Sequence, residues 1–313
     1  MKIFYGTSNE NLAQRVIEIL SQKREIKDYE TLKIEKFSDG EILPRFLKTI
    51  RDEDVFFIQS TENSDAIMET LLVIDAAKRA GSKSFTLIAP YQGYSRQDKC
   101  DHIRSSIGSR VVADILEKVG MTRLVTIDLH SSSIQGFYNK TVIHLGANRL
   151  FIEYIKGMNL DNLVVCSPDH GAVKRNRDFA IAFPDATLAV INKRRVKPNE
   201  VHSMELIGDV RGKNVILVDD MVDTAGTLKK ASELLYSQGA LSIRAIATHG
   251  LLSGNAIQNI EDSKLTEILV TDTIGSVFNK ECSKLKIISC APLLADALER
   301  VIKNKSIHEL NII

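Results

Sequence analysis

Short apolar runs alternate with amphipathic stretches along nearly the whole chain, and this alternation predicts a βα rhythm. IFYG is followed by Ser8 and Asn9, a helix cap, and then by NLAQRVIEIL, whose apolar residues recur at helical spacing. VFFIQS precedes the capped run DAIMETLLVIDAAKRAG, with its glycine where a helix C-terminus falls. FTLIAP, SSIGSRVVADILEKVG and RLVTIDLH complete a first half. The rhythm begins again after about residue 147 with NRLFIEYIKG, NLVVCSP, the helical AVKRNRDFA, TLAVIN, NVILVDD, LKKASELLYSQGA and SIRAIATHG. AIQNIED, EILVTDT, LKIISCAP and a final helix LLADALERVIKN close the chain. Apolar runs separated by helices imply an α/β fold of mostly parallel sheets flanked by helices. The pattern divides into two domains, 1–147 and 148–313, each long enough to bury a core, with the tail of the second a candidate to pack back on the first.

Parallel sheets bind ligands beyond the carboxyl ends of their strands. Each chemically informative cluster here follows an apolar run. The fullest is Val215–Leu228, VILVDDMVDTAGTL. Apolar β-formers lead into Asp219 and Asp220, then the turn Asp223-Thr224-Ala225-Gly226-Thr227, then a helix from near Leu228. Backbone N–H groups of such a turn and the positive end of the helix suit a phosphate. Paired carboxylates accept hydrogen bonds from vicinal hydroxyls, as an acidic residue does for a ribose. A buried strand followed by an Asx-type turn and a helix cap is the plainer alternative. The complete order of strand, DDxxDTxGT and helix favours the sugar phosphate. Gly226 is expected to supply the turn's flexibility, so that Ala225 before it is tolerated.

Other clusters leave two readings open. Phe37-Ser38-Asp39-Gly40-Glu41 is either a hairpin turn or a base site, with Phe37 stacking and Asp39 and Glu41 accepting from an amino group. Tyr91 to Lys99, with Arg96 and Gln97 inside it, suits nucleotide phosphates or is a solvated loop. His130 ends RLVTIDLH and Asp169 follows LVVCS. Mg²⁺ on a polyphosphate needs only one or two protein ligands, which this pair could supply, although histidine is an unusual partner for so hard a cation. Lys193-Arg194-Arg195-Val196-Lys197 opens a polar segment reaching to about Ser203, with Pro198 and Asn199 inside it. It reads as a solvated basic loop, or as a mobile lid whose cations meet charge on a transferred group.

Composition narrows the class. Forty-one basic and forty acidic residues leave a net charge of +1, so no global field asks for nucleic acid. Cys100, Cys166, Cys282 and Cys290 are scattered without a CxxC or Cys/His metal spacing, which points to a reducing compartment and away from disulfides or zinc. No apolar run reaches the roughly twenty residues that span a bilayer, and the start shows no signal pattern. A cytoplasmic protein without membrane or nucleic-acid partners is expected.

With FSDGE, VFFIQST, YQGYSRQDK, DLHSSSIQGFY, SPDHG, the basic run, VDDMVDTAGT, THGLLSG and VTDT in this order, the chain resembles the ribose-phosphate pyrophosphokinases over nearly its whole length. The resemblance implies two phosphoribosyltransferase-type domains. It also implies transfer of the β,γ-pyrophosphoryl group of Mg-ATP to the C1 hydroxyl of ribose 5-phosphate, and self-association into a dimer-based hexamer. Asp219 and Asp220 would hold ribose hydroxyls and Mg²⁺-associated oxygens, and Asp223, Thr224, Ala225, Gly226 and Thr227 would cradle the 5-phosphate. Phe37, Asp39, Gly40 and Glu41 would bind adenine from a neighbouring subunit. Arg96 and Gln97 would complete the ATP site, and His130 and Asp169 would hold Mg²⁺. Lys193 and Arg195 would stabilise the transition state, Arg195 also meeting ribose 5-phosphate.

The chain departs from the family at Asn139 to Ile143, where Ile143 takes an acidic position, and at Gly146, where tyrosine is favoured. Cys100 and His102 replace basic residues, and Ser106 a proline. These positions resemble the regulatory region for ADP and phosphate, so altered allostery is expected. A phosphoribosyltransferase that consumes the diphosphate and a non-catalytic companion subunit are the competing readings. The former has no use for FSDGE or the RQDK run. The latter tends to carry insertions near the basic run, and none is present between Ile191 and Asp219.

Overall fold

The computed structural model describes residues 1–23, 32–169, 171–197 and 200–311, with 193–197 and 200–203 described by their backbone alone. The chain divides into two compact units. Among the described residues one comprises those within 1–146, 273–275 and 290–311, and the other those within 147–272 and 276–289.

The first unit contains β1 (Lys2–Tyr5), α1 (Glu10–Gln22), β2 (Leu32–Lys36), β3 (Ile42–Phe46), β4 (Asp54–Ile58), α2 (Ser64–Arg79), β5 (Ser84–Ala89), α3 (Gly108–Val119), β6 (Arg123–Ile127) and β7 (Thr141–Leu145). Strands β1-β4-β5-β6-β7 form one sheet in that order, every neighbouring pair parallel, and β2 pairs antiparallel with β3 as a separate hairpin. Asn9 caps α1 and Asn63 caps α2, each side chain accepting a backbone N–H three residues on. Phe57, Leu87 and Leu124 of the sheet pack with Ile74 and Ala77 of α2 and Val112 and Leu116 of α3.

The second unit contains α4 (Asn148–Gly157), β8 (Leu163–Ser167), α5 (Val173–Ala180), β9 (Thr187–Lys197), β10 (Glu200–Ile207), β11 (Asn214–Val222), α6 (Gly226–Ser237), β12 (Ser242–Gly250), α7 (Ala256–Asp262), β13 (Glu267–Thr271) and β14 (Leu285–Ile288). Its sheet runs β10-β9-β8-β11-β12-β13-β14, parallel except for the antiparallel edge strand β10. All five residues of β8 and of β13 are buried, as parallel strands covered on both faces require. The last helix, α8 (Ala291–Ile302), belongs to the first unit and packs on α1. There Lys23 meets Asp296 at 3.3 Å and Glu299 at 2.9 Å. No helix among the described residues is long and apolar enough to cross a membrane.

The basic run differs from the irregular loop expected of it. Lys193 to Lys197 continue β9, with backbone register Lys193↔Met204 and Arg195↔Val201 on β10, and a register shift between Val201 and Ser203. Val190, Ile191 and Val196 on one strand and Val201 on the other carry enough β-propensity to pair despite the charges. High polarity here marks an edge hairpin rather than missing structure. Pro198 and Asn199 lie outside the described residues, as do the side chains of Lys193 and Arg195.

Strand order positions the site. In the second unit the chain passes from β8 to its neighbour β9 on one side, whereas β11 to β14 lie on the other. The winding therefore reverses between β8 and β11, and a doubly wound sheet offers its crevice at that switch point. The first unit's sheet winds in one direction from β1 to β7 and has no such reversal.

Candidate active site

Residues at the switch point come from the carboxyl ends of β8 and β11. β8 pairs with β11 only as far as Cys166↔Leu217, while β11 continues to Val222 against β12, with Asp219↔Ala247 and Met221↔His249. Five residues of β11 thus lie beyond its last pair with β8, and Asp219 and Asp220 are among them. The strand runs past the carboxylates instead of ending on them. Asn176 of α5 takes the place of the missing strand: its Nδ2 donates to Val218 O at 3.0 Å, to Ala172 O at 2.8 Å and to Ser167 Oγ at 3.4 Å. One residue earlier, Arg175 places Nη1 3.3 Å from Asp220 Oδ1, pairing with a carboxylate that is buried.

The two adjacent acids differ. The Asp220 N–H donates to Asp219 Oδ1 at 2.9 Å. Burial, and then the neighbouring Asp220 carboxylate, push the Asp219 carboxyl well above the ordinary range, with the Asp169 charge adding to the effect. Asp169 therefore lies within electrostatic reach of the pair. It opens the turn into α5, its Oδ1 accepting the Ala172 N–H at 3.1 Å while its carbonyl accepts the Ser167 hydroxyl at 2.6 Å. His170 lies outside the described residues.

The turn after β11 joins a left-handed residue to the start of a helix. Ala225 is left-handed at φ 57°, and α6 begins at Gly226, two residues earlier than the sequence pattern places it. The left-handed residue is thus Ala225, not Gly226, which corrects the expectation that Gly226 absorbs the turn. The short Ala225 side chain tolerates a conformation that a branched one does not. The turn is braced from behind. Ser253 Oγ donates to Asp223 Oδ1, its N–H donates to Asp223 O at 3.1 Å, and Asn259 Nδ2 donates to Thr224 O at 2.9 Å. Leu251 and Leu252 both donate backbone N–H groups to Val222 O, Leu252 from a left-handed conformation. Strain gathered in this way is characteristic of ligand-holding segments. Because Ala225 is buried and left-handed, Ala225→Gly should leave unfolding free energy within about 1 kcal/mol, strain relief offsetting the lost methyl. Ala225→Val should cost about 2–3 kcal/mol in urea melts. Equal stability of the two variants would refute the assignment.

The first unit holds the remaining candidates. Phe37 to Glu41 form the hairpin turn between β2 and β3: the Phe37 N–H donates to Glu41 O at 2.7 Å, and Gly40 takes φ 96°. Asp39 Oδ1 accepts the Glu41 N–H at 3.0 Å, and the Phe37 ring is 50% exposed. The hairpin geometry leaves aromatic and acids facing outward. Arg96 and Gln97 follow β5 in an exposed loop tied to α3, where Gln97 O accepts the Ser109 hydroxyl at 2.9 Å. The Gln97 side chain lies so close to Gly108 that a Cβ there would sit 2.6 Å from its Oε1. Exposed His130 follows Asp128, left-handed at φ 39°, and Leu129, whose N–H donates to His144 Nε2 at 2.9 Å. His130 and Asp169 belong to different units. Of the departures, Ile143 pairs with Val125 inside the sheet, and Glu117 accepts the N–H groups of Asn139 and Lys140 at 2.6 and 2.8 Å. The Cys100 thiol lies 3.4 Å from Ser105 Oγ.

Sequence reasoning missed Arg175, Asn176, Ser253 and Asn259. The first two sit in a run legible only as a polar helix, Ser253 in THGLLSG, a motif given no role of its own, and Asn259 in the helical run AIQNIED.

Comparison with known proteins adds a family. Residues 1–120 match the N-terminal domain of ribose phosphate pyrophosphokinase, and residues 161–311 the phosphoribosyl synthetase-associated domain. The ribose-phosphate pyrophosphokinase of Porphyromonas gingivalis is 44% identical over 312 residues, covering 98% of this chain and 96% of that protein. The one from Caldanaerobacter subterraneus is 44% identical over 313 residues, covering 99% and 97%. The crystal structure of phosphoribosylpyrophosphate synthetase from Mycobacterium smegmatis superposes with a TM-score of 0.90 at 37% identity, covering 97% of this chain and 99% of that one.

Proposed function

The chain belongs to the ribose-phosphate pyrophosphokinase family, and from this premise we propose that it transfers the β,γ-pyrophosphoryl group of Mg-ATP to the C1 hydroxyl of ribose 5-phosphate. The products are 5-phosphoribosyl 1-diphosphate and AMP. The observation carrying this reading is the Asp219–Asp220 pair followed by a left-handed turn and the start of α6, at the switch point of a doubly wound sheet.

Ribose 5-phosphate is seated by its hydroxyls donating to Asp219 and Asp220, and by its phosphate on the backbone of Asp223, Thr224, Ala225, Gly226 and Thr227. ATP is held by Arg96 and Gln97, with adenine on Phe37, Asp39, Gly40 and Glu41 of a neighbouring subunit in a dimer-based hexamer. Each unit serves as a phosphoribosyltransferase-type domain, the first for ATP and the second for the sugar. Asp169, a hard oxygen ligand whose charge adds to the crowding of Asp219, and His130 are the residues that would hold Mg²⁺. Mg²⁺, when bound, neutralises charge on the polyphosphate. The C1 oxygen bonds to the β-phosphorus, the bond from that phosphorus to the α,β-bridging oxygen breaks, AMP leaves carrying that oxygen, and the hydroxyl proton is released to solvent. In such a displacement the protein contributes position and charge, which assigns Lys193 and Arg195 to the transferred group.

The raised Asp219 carboxyl predicts a proton-linked affinity. Burial and the Asp220 charge favour the protonated Asp219 carboxyl above the usual carboxylate range, whereas donating sugar hydroxyls favour the ionised form. Binding therefore releases protons at neutral pH and strengthens as pH rises through the raised pKa. Calorimetry in buffers of different ionisation heat should show that release for wild type, and Asp219→Asn should abolish its Asp219 share. An unchanged proton count in Asp219→Asn rules the linkage out.

A coupled assay of AMP release from Mg-ATP and ribose 5-phosphate, with ADP and phosphate titrated separately, tests the activity. Absence of AMP with the pure chain moves the companion-subunit reading forward, and turnover of the diphosphate with a base points to a phosphoribosyltransferase. With Ile143 in a strand and Cys100 and His102 in the β5–α3 loop, inhibition by ADP is expected to be weak or purely competitive with ATP. Strong ADP inhibition that is non-competitive with ATP, with strict phosphate dependence, contradicts this.

A further inference from the structure

We propose that Arg175 is a positioning residue for the sugar site, fixing the Asp220 carboxylate before ribose 5-phosphate arrives. The inference rests on the proposed function and adds a residue that acts through another.

The geometry shows why such a brace is needed. β11 outruns β8 beyond Leu217, so the stretch carrying Asp219 and Asp220 has no strand beside it on that flank. Two consecutive residues of α5 grip it instead. Asn176, 1% exposed, donates to Val218 O on β11 and to Ala172 O of its own helix start, and reaches Ser167 Oγ at the end of β8. Rotating its amide would turn the carbonyl onto two carbonyl oxygens, so its orientation is dictated. Arg175 then meets Asp220, whose side chain is 6% exposed against 24% for the arginine. A carboxylate this buried requires compensation, and a guanidinium directs as well as neutralises it. The same helix begins at the Asp169 turn, where Asp169 Oδ1 accepts the Ala172 N–H. One short helix therefore sets the Asp220 carboxylate, the Val218 backbone and the Asp169 turn in a single frame. Arg175 completes it on the carboxylate side.

The test uses the full chain with Arg175→Ala, Arg175→Lys, Asp220→Asn and the Arg175→Ala/Asp220→Asn double variant. KM is measured for each substrate, together with direct calorimetric binding of ribose 5-phosphate in Mg²⁺ and thermal melts. Arg175→Ala is expected to weaken ribose 5-phosphate roughly 10–100-fold while the KM for ATP stays within about twofold. Arg175→Lys should recover most of the loss. The double variant should bind no worse than Asp220→Asn, because the brace has nothing left to hold. Additive losses in the double variant, or equal increases in both KM values, overturn the proposal. If wild type itself fails to bind ribose 5-phosphate, the functional reading has failed, and the melts then decide on the brace. Coupled melting shifts of the two single variants support the pairing, and additive shifts end it.

Discussion

Lys193→Ala is expected to lower kcat by roughly 10²–10³-fold with ribose 5-phosphate affinity nearly unchanged. Arg195→Ala should lower kcat by a similar factor and also weaken ribose 5-phosphate, because it is assigned both to the transferred group and to the sugar. The reason is electrostatic. Charge moves from the broken bridge onto the α-phosphate as the pyrophosphoryl group passes between oxygens, and no covalent protein intermediate shares the burden. A cation positioned for that moment acts on kcat, whereas one that also meets bound substrate acts on KM as well. The backbone of β9 gives this assignment a frame that an irregular loop does not provide. Positions 193 and 195 both lie on the backbone of β9, in register with Met204 and Val201 of β10. Steady-state kinetics and single-turnover rates on both variants check the prediction. Turnover within tenfold of wild type for both removes the pair from the chemistry.

The same hairpin shows what a sequence conceals. Lys193 to Lys197 carry four cations in five residues, and local polarity reads as a loop. Pairing of Lys193–Lys197 with residues 200–204 is a backbone relation that local polarity does not report. Fully buried strands such as Leu163–Ser167 and Glu267–Thr271 were legible because continuous apolar runs of that length, bounded by turn residues, have few other uses. The acid pair and its turn were legible for the related reason that their order is itself the signal. Arg175 and Asn176 were not, since their meaning depends on α5 lying beside a strand more than forty positions away. At Ala225 the detail differs: Gly226 is the residue expected to supply flexibility, whereas the left-handed conformation falls on Ala225 itself, in a turn held by hydrogen bonds at Val222, Asp223 and Thr224. The last helix illustrates the same limit at larger scale. The sequence offers it as a candidate to pack back on the first domain, but only the fold names α1 as its partner.

Gly93→Ala should be among the most damaging single methyl additions in the molecule. A Cβ at Gly93 would stand 2.0 Å from the Thr61 carbonyl oxygen, far inside contact distance, and the obstacle is backbone that cannot rotate away. Thr61 cannot yield easily. It is fully buried, its N–H donates to Tyr91 O at 3.0 Å, and its hydroxyl oxygen accepts the Gly93 N–H at 3.0 Å. These contacts join the segment following β4 to the segment following β5, so relief of the clash must pull these segments apart at the carboxyl end of the first sheet. Overpacking of this kind costs about 1–3 kcal/mol, and a backbone obstacle favours the upper end. The loop carrying Arg96 and Gln97 begins at the next residue, Tyr94, already left-handed at φ 61°. A displacement near 1 Å there is enough to weaken a positioned contact by about 10²-fold. The expected result is a urea midpoint lowered in proportion and a KM for ATP raised at least tenfold, with ribose 5-phosphate still binding to the second unit at close to wild-type affinity. Gly157→Ala supplies the contrast, since nothing lies within 4 Å of a Cβ at that helical position, and it should leave stability and both affinities essentially unchanged. A Gly93→Ala protein that melts and binds ATP like wild type would show that the segments after β4 and β5 separate freely, and would detach the Arg96–Gln97 loop from the framework assigned to it.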